Sequence, residues 1–190
     1  MNRRRFLLVT AGTTATAVGA PWLAAGEAAT DDELAFANLG VAASLLAGDF
    51  YERAIAAKVF DPAANRQLRR GRVSASRHAA ALGELLTGAG QTAPVAEDFS
   101  FAWPDGTFAS RTSASKAGLT VLRATLGAFQ AAAASVSLPS YRTLYASLVA
   151  SLGGQVGVLA SLSGDALGAE PFPVALDLEA ASAALEDYLG

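Results

Sequence analysis

Four stretches with helical apolar period, each long enough for about seven turns, follow one another with breaks in the order short, long, short. That order constrains the fold more than any single motif does. Short breaks force antiparallel neighbours, whereas the long break lets the third helix start at the end of the bundle where the second began. Thr30-Asp31-Asp32-Glu33 has the spacing of a capping box. It precedes Leu39, Ala43, Leu46 and Phe50, spaced i, i+4, i+7, i+11, which predicts a first helix from Asp31 to Val59. Asp61-Pro62 supplies an N-cap and a first-turn proline for a second helix. That helix carries Ala75, Ala79, Leu82 and Leu86 on one face and stops at Gly88 or Gly90.

The long break contains Phe99, Phe101, Trp103 and Phe108, with a turn at Trp103-Pro104-Asp105-Gly106. A loop of this length in a small domain needs an anchor, and these aromatics are expected to pin it to the bundle as a strap. Leu119, Leu122, Leu126 and Phe129 mark a third helix, capped near Thr112 or Ser113. Leu138-Pro139 ends it and opens a fourth that runs to Ser163. Leu178, Ala181, Leu185 and Tyr188 predict a shorter fifth helix. The expected class is therefore all-α, a four-helix bundle with a long crossover between helices 2 and 3 and a short C-terminal fifth helix.

Composition bounds the chemistry. There is no cysteine in the 190 residues and a single histidine, His78. Disulfides, iron–sulfur clusters, thiolate zinc sites and multi-histidine cages are thereby excluded. The start of the chain is read separately, because Arg3-Arg4-Arg5-Phe6-Leu7, a weakly apolar run and the small residues around Ala24 to Ala28 fit a twin-arginine export signal. Residues 1–28 are assigned to that signal and 29–190 to one domain, placing the protein in the periplasm, at the cell surface or outside the cell. Cleavage after Gly26 would remove three of the 14 basic residues and none of the 17 acidic ones, leaving a net charge of −6. Such a domain is not expected to bind nucleic acid. Helix 4 is uncharged from Thr143 to Gly164, long enough to span a bilayer, but its serines and Gln155 favour a buried bundle helix, so no stable membrane span is expected.

The mature chain resembles the bacterial ferritin-like domain proteins that carry twin-arginine signals. The resemblance lies in "LAGDFYERAI", "SRHAAALGELL", "ASLGGQVGVLASLSG" and the strap "FSFAWPDGTF". It implies a ferritin-like bundle and, in relatives with intact ligands, a carboxylate-bridged pair of metal ions. Such a centre takes single glutamates from two helices and Glu-x-x-His pairs from the other two. Carried over by position, the ligand sites fall at Ser44, at Ala75 and His78, near Leu122, and at Gly153 and Val156. Only the histidine survives. Independently of alignment, residues 107–164 contain no Asp, Glu or His, so helices 3 and 4 offer only backbone carbonyls, hydroxyls, Gln130 and Gln155, which are weak ligands for iron or manganese.

No catalytic, cofactor-binding or metal-ligating residue is assigned. His78 is read as a core or boundary histidine bonded to a hydroxyl or carboxylate, the alternative being a residual ligand with Asp49 or Glu52. Asp49, Glu52 and Glu84 are read as solvated helix-face charges, with Asp49 and Arg53 an i, i+4 pair, rather than as an acid–base pair. Ser44, Ser151 and Ser161 have no triad to join. Arg66, Arg69, Arg70, Arg72 and Arg77 form either a docking patch for an acidic partner or polyanion, or a solvated face balanced by helix 1 acids.

Gly153, Gly154 and Gly157 sit within one helix at about 1 kcal/mol each relative to alanine. They are expected where vanished ligands let the interior close, with Gly153 and Gly157 admitting a neighbouring helix or a ring such as Phe50 or Phe129, and Val156 acting as an apolar plug. The sequence thus points to an exported, non-enzymatic structural or partner-binding protein with no cofactor. A module holding a small apolar ligand in the space left by the metals is the alternative, and an iron-handling oxidoreductase a further one.

Overall fold

The structure, a computed structural model, describes residues 29–164 and 174–190. The export signal read at residues 1–28, and residues 165–173 of the connection into the last helix, lie outside the described residues. Five α-helices lie among the described residues: α1 Asp31–Ala56, α2 Pro62–Gly88, α3 Arg111–Ser135, α4 Pro139–Ser163 and α5 Leu178–Leu189.

Local chemistry accounts for most of the boundaries. At the head of α1 the capping box forms as the spacing requires: the Thr30 hydroxyl accepts from the Glu33 amide at 3.3 Å, and the Glu33 carboxylate accepts from the Thr30 amide at 2.7 Å. Its end comes at Ala56 rather than at the predicted Val59, because Lys58 adopts a left-handed φ of 58° and breaks the ladder. Asp61 caps α2 by accepting from the Ala64 amide at 2.9 Å, with Pro62 at the first position. The cap of α3 is Ser110, not Thr112 or Ser113. Ser110 and Ser113 satisfy each other's amides reciprocally, a serine pair doing what threonine and glutamate do at α1. Gly164, at φ 84°, closes α4 in the left-handed conformation that glycine adopts most readily.

Two contacts fix the topology. The Arg111 side chain, at the start of α3, reaches Asp61 at the start of α2 and the Leu162 carbonyl at the end of α4. At the other end, Glu33 of α1 meets Ser137 and Leu138 between α3 and α4. Helices α2 and α3 therefore run parallel, joined by a crossover that travels the length of the bundle, while α1–α2 and α3–α4 are antiparallel pairs. This is the all-α, ferritin-like arrangement with its long crossover and short fifth helix.

The strap is held by its aromatics. Trp103 donates to Asp49 at 2.7 Å, and its ring meets Phe50, Phe108 and Tyr188 at centroid distances of 5.6, 5.6 and 5.2 Å. Phe99 stacks on Phe101, and the Ala102 amide donates to the Tyr188 carbonyl. The main core joins all four long helices through Phe50, Tyr51, Leu82, Leu122, Phe129 and Tyr145. A second cluster seats α5 across α1 and α3, where Ala181 and Leu185 meet Leu39, Ala43, Leu46, Val121, Ala124 and Ala128. Leu39, Ala43 and Leu46 of the predicted stripe thus pack in the α5 cluster, and Phe50 alone of the four enters the main core.

Glycine lets the large rings in, but at other positions than the sequence suggests. A methyl at Gly118 would land inside the Phe50 ring, one at Gly40 would collide with Phe129 and Leu82, and one at Gly71 would enter the Tyr51 ring. Around Gly153, Gly154 and Gly157 nothing lies within 4 Å of where a Cβ would be. The expectation that these α4 glycines admit a neighbouring helix, or Phe50 and Phe129, is therefore corrected: the glycines that seat the two rings are Gly118 of α3 for Phe50 and Gly40 of α1 for Phe129.

Candidate functional site

The mid-bundle positions where the sequence places metal ligands are occupied as follows. Ser44, Ala75 and Leu122 are buried, and Ser44 Oγ is enclosed without a hydrogen-bond partner. His78 is buried, and its Nε2 lies 2.9 Å from Ser151 Oγ. Burial lowers its pKa, because the imidazolium would lose its hydration, so the ring is neutral at pH 7. On α4 the carried-over register is displaced. Gly153 is exposed and Val156 half-buried, whereas Tyr145, Leu148, Leu152 and Leu159 face the core. The displacement arises because small residues on either side of Leu152 blur the inward face in the sequence.

Across the four helices the interior at this level therefore offers one imidazole, hydroxyls and hydrocarbon. Among the described residues no three of His, Cys, Asp or Glu come together. A pair of divalent ions needs bridging carboxylates, and these residues do not fit one. The enclosed, unpartnered Ser44 hydroxyl is itself a poor ligand, neutral and with only weak donor strength towards iron or manganese.

The acidic candidates are engaged or dispersed. A single Asp49 oxygen accepts from Arg53, the expected i, i+4 pair at 2.7 Å, and from the Trp103 indole. Glu52 and Glu84 are exposed, near opposite ends of the antiparallel α1–α2 pair, so no carboxylate pair forms. The acid with the most partners is one the sequence marks only as a cap. Glu33 Oε1 accepts from the Ser137 amide at 2.6 Å, the Ser137 hydroxyl at 2.9 Å and the Leu138 amide at 3.3 Å, in addition to the Oε2 bond within the capping box. Burial pushes this carboxyl up, yet the Thr30, Ser137 and Leu138 donors together outweigh it and hold the pKa at about 2. The group is structural: it ties the head of α1 to the turn between α3 and α4.

Arg66, Arg69, Arg70, Arg72 and Arg77 are all exposed. No direct ion pair joins them to an acid among the described residues, where the pairs are Arg53–Asp49 and Arg111–Asp61; Arg66 acts on Asp61 through space. The patch is unneutralised by direct contact.

One feature lay outside the reach of periodicity. Between α2 and α4 runs a cleft of about 180 Å³, walled by Leu68, Arg70 and Ser74 on one side and by Ser151, Gly154 and Gln155 on the other, with Tyr51 behind. It continues into a shallower, open trough of about 600 Å³ over Ala63, Gly157, Val158 and Leu162. The Tyr51 hydroxyl donates to Gln155 Oε1 at 2.8 Å. Burial raises the Tyr51 pKa well above the ordinary phenol value, so it remains a donor. Gln155 Nε2 has no partner. The glycines at 154 and 157 were the available signal, because both line this side of α4.

Residues 32–165, more than half of the chain, match the family profile described as a ferritin-like domain. No curated protein and no solved structure matches the chain at a significant level. Profile, helix order and crossover agree: the chain belongs to the ferritin-like domain family.

Proposed function

We propose that this is an exported, non-catalytic member of the ferritin-like family that lacks a di-metal centre and serves as a structural or partner-binding protein. The observation that carries the reading is the donor set at mid-bundle: Ser44, His78, Leu122 and the Leu148–Leu152 face of α4, with one imidazole and no carboxylate among them. Removing four glutamates and a histidine from such a site takes away both the charge that offsets divalent cations and the oxygens that bridge them.

The interior is filled instead. Phe50, Phe129, Tyr145, Leu46 and Leu122 are almost wholly enclosed, which argues against a small apolar ligand held where the metals would be. Helices α1 and α4 are each long and apolar enough to cross a membrane, by length and composition. Here α4 is read as a bundle helix, because Tyr141, Tyr145, Leu148, Leu152 and Leu159 are buried against the other helices. The exposed arginines of α2, which make no direct ion pair among the described residues, suit an acidic partner.

Titration of the purified full chain with Fe(II) and with Mn(II), followed by calorimetry and thermal unfolding, tests the reading. Neither ion is expected to bind saturably or to raise Tm. Saturable binding of two ions per chain, with a rise in Tm, would restore the iron-handling alternative.

A further inference from the structure

The outward faces of α2 and α5 carry opposite charge. On α2, Leu68, Gly71, Ala75, His78 and Leu82 are buried. The opposite face presents Arg66, Arg69, Arg70, Val73 and Arg77, all exposed and all on one stripe of the helix. Val73, 49% exposed, is one of the few large apolar side chains left open to solvent, and it lies in the middle of the guanidinium groups. Arg72 lies to the flank of this stripe. On α5, Ala181 and Leu185 are buried against α1 and α3, which turns Glu179, Ala183, Glu186 and Asp187 outwards. This helix has no basic residue. Neither set of charges enters a direct ion pair among the described residues.

The two stripes match in spacing as well as in sign. From Arg70 it is three residues to Val73 and four more to Arg77; from Glu179 it is four residues to Ala183 and three more to Glu186. Laid antiparallel, α5 therefore sets Glu186 opposite Arg70, Ala183 opposite Val73 and Glu179 opposite Arg77, and the same register sets Asp187 opposite Arg69. Each outer pair is about 10 Å apart along its own helix, seven residues at about 1.5 Å. The small Ala183 leaves room for Val73 to be covered between the charges. Glu84, further along the α2 stripe, falls beyond the start of α5 in this register and faces none of its acids.

Within one chain the two helices do not meet. Helix α5 lies across α1 and α3, on the side of the bundle away from the α2–α4 seam. The counterpart of each stripe must come from another molecule, and a contact between two different patches is heterologous, so it repeats from copy to copy. We propose that α2 of one copy docks on α5 of a second copy, Arg69, Arg70 and Arg77 meeting Asp187, Glu186 and Glu179 around a Val73–Ala183 contact. The proposal rests on the partner-binding reading and names the acidic partner as the chain itself. Exposed ion pairs are individually weak and are screened by salt. A contact a few turns long is also smaller than a stable dimer needs. The association is accordingly transient, steered by charge and dependent on concentration.

Protein purified from its native compartment, followed by sedimentation velocity from micromolar to millimolar concentration, tests this. Self-association is expected at about 0.01 M ionic strength and is expected to vanish at about 1 M, as the screening length falls from about 30 Å to about 3 Å. Two charge-reversed chains carry the decisive arm: Arg70→Glu with Arg77→Glu, and Glu179→Arg with Glu186→Arg. All four positions are exposed, and unchanged helix content by circular dichroism checks that each chain is folded. Each reversed chain alone should stay monomeric at low salt, and mixing the two should restore association, because every α2 then faces an α5 of opposite sign. A parent chain that stays monomeric at low salt, association that persists in either reversed chain, or a mixture that remains monomeric would each overturn the contact. Binding of the monomeric parent to anionic vesicles would instead assign the arginines to a membrane surface. Metal titration is indifferent to all of these outcomes, so this contact and the metal-free reading fail separately.

Discussion

The two sides of the bundle are built from similar helices and finished differently. On the α1–α3 side, Gly40 and Gly118 lie under Phe129 and Phe50, and α5 closes the surface with Ala181 and Leu185. On the α2–α4 side, among the described residues, α5 is not seated, the α4 glycines meet no neighbour, and the two helices part around a cleft. Glycine therefore means opposite things at Gly40, Gly118 and, on α2, Gly71, all packed under rings, and at the open glycines of α4. Where a ring occupies its missing side chain, it is a packing requirement; where nothing does, it is a gap in a wall. The same residue type in the same kind of helix gives no hint in the sequence of which case applies.

Substitutions should expose the contrast. The largest effect belongs to the closed side. Gly118→Val would force the Phe50 ring out of its seat, and urea unfolding should show a loss of about 3 kcal/mol or more, the upper range for overpacking. A loss under 1 kcal/mol, the ordinary scatter of surface changes, would mean that the two sides are equally tolerant. Leu185→Ala, which empties the place where α5 rests on α1 and α3, should cost about 3 kcal/mol in the same assay. It should also raise hydrogen exchange in α5 before the four long helices.

Acid sharpens the comparison at the bundle ends. The Glu33 carboxyl titrates at about 2 when folded against 4.5 when free. The unfolded chain therefore takes up this proton first as pH falls, and stability present above pH 4.5 is lost progressively towards pH 2. The stake is about 3 kcal/mol. His78 acts in an earlier window and in the same direction: its folded pKa lies below the free value of 6.5, so stability begins to decline as pH drops through that value. Glu33→Gln should remove the lower limb of the pH–stability curve, at about 2 kcal/mol of stability at neutral pH, while His78→Ala leaves that limb in place. A Glu33→Gln chain with the parent's acid profile would show that α1 and the α3–α4 turn are not tied through this carboxylate.

The smallest expected effect lies on the open side and has the opposite sign. Gly153→Ala meets no neighbour and should stabilise by about 1 kcal/mol through helix propensity and a less flexible unfolded chain. Destabilisation there would mean that α4 is covered by something the isolated bundle does not show.

Much of this architecture could be read from the chain. Local signals carried the Thr30–Glu33 box, Asp61-Pro62 and Gly164, and aromatic clustering carried the attachment of the strap through Trp103. Long-range chemistry was legible only in kind: a hydroxyl was expected for His78, but not which one, and nothing pointed to the partners of Glu33. Glu33 meets Ser137 across 104 residues, and His78 meets Ser151 across 73; neither pairing leaves a periodic trace. The α4 register slipped by one position because Gly153, Gly154 and Gly157 carry no side chain to mark a face, so Leu152 rather than Gly153 points inward. The absence of acids and histidine from residues 107–164 needed no register, and that is why the donor-set argument survives the slip.

Elemental analysis of the protein purified from its native compartment tests that argument most directly. The account predicts iron and manganese far below one ion per chain, with no loss of helix content on treatment with a chelator. Two ions of either metal per chain, or a bundle that melts when they are removed, would contradict it.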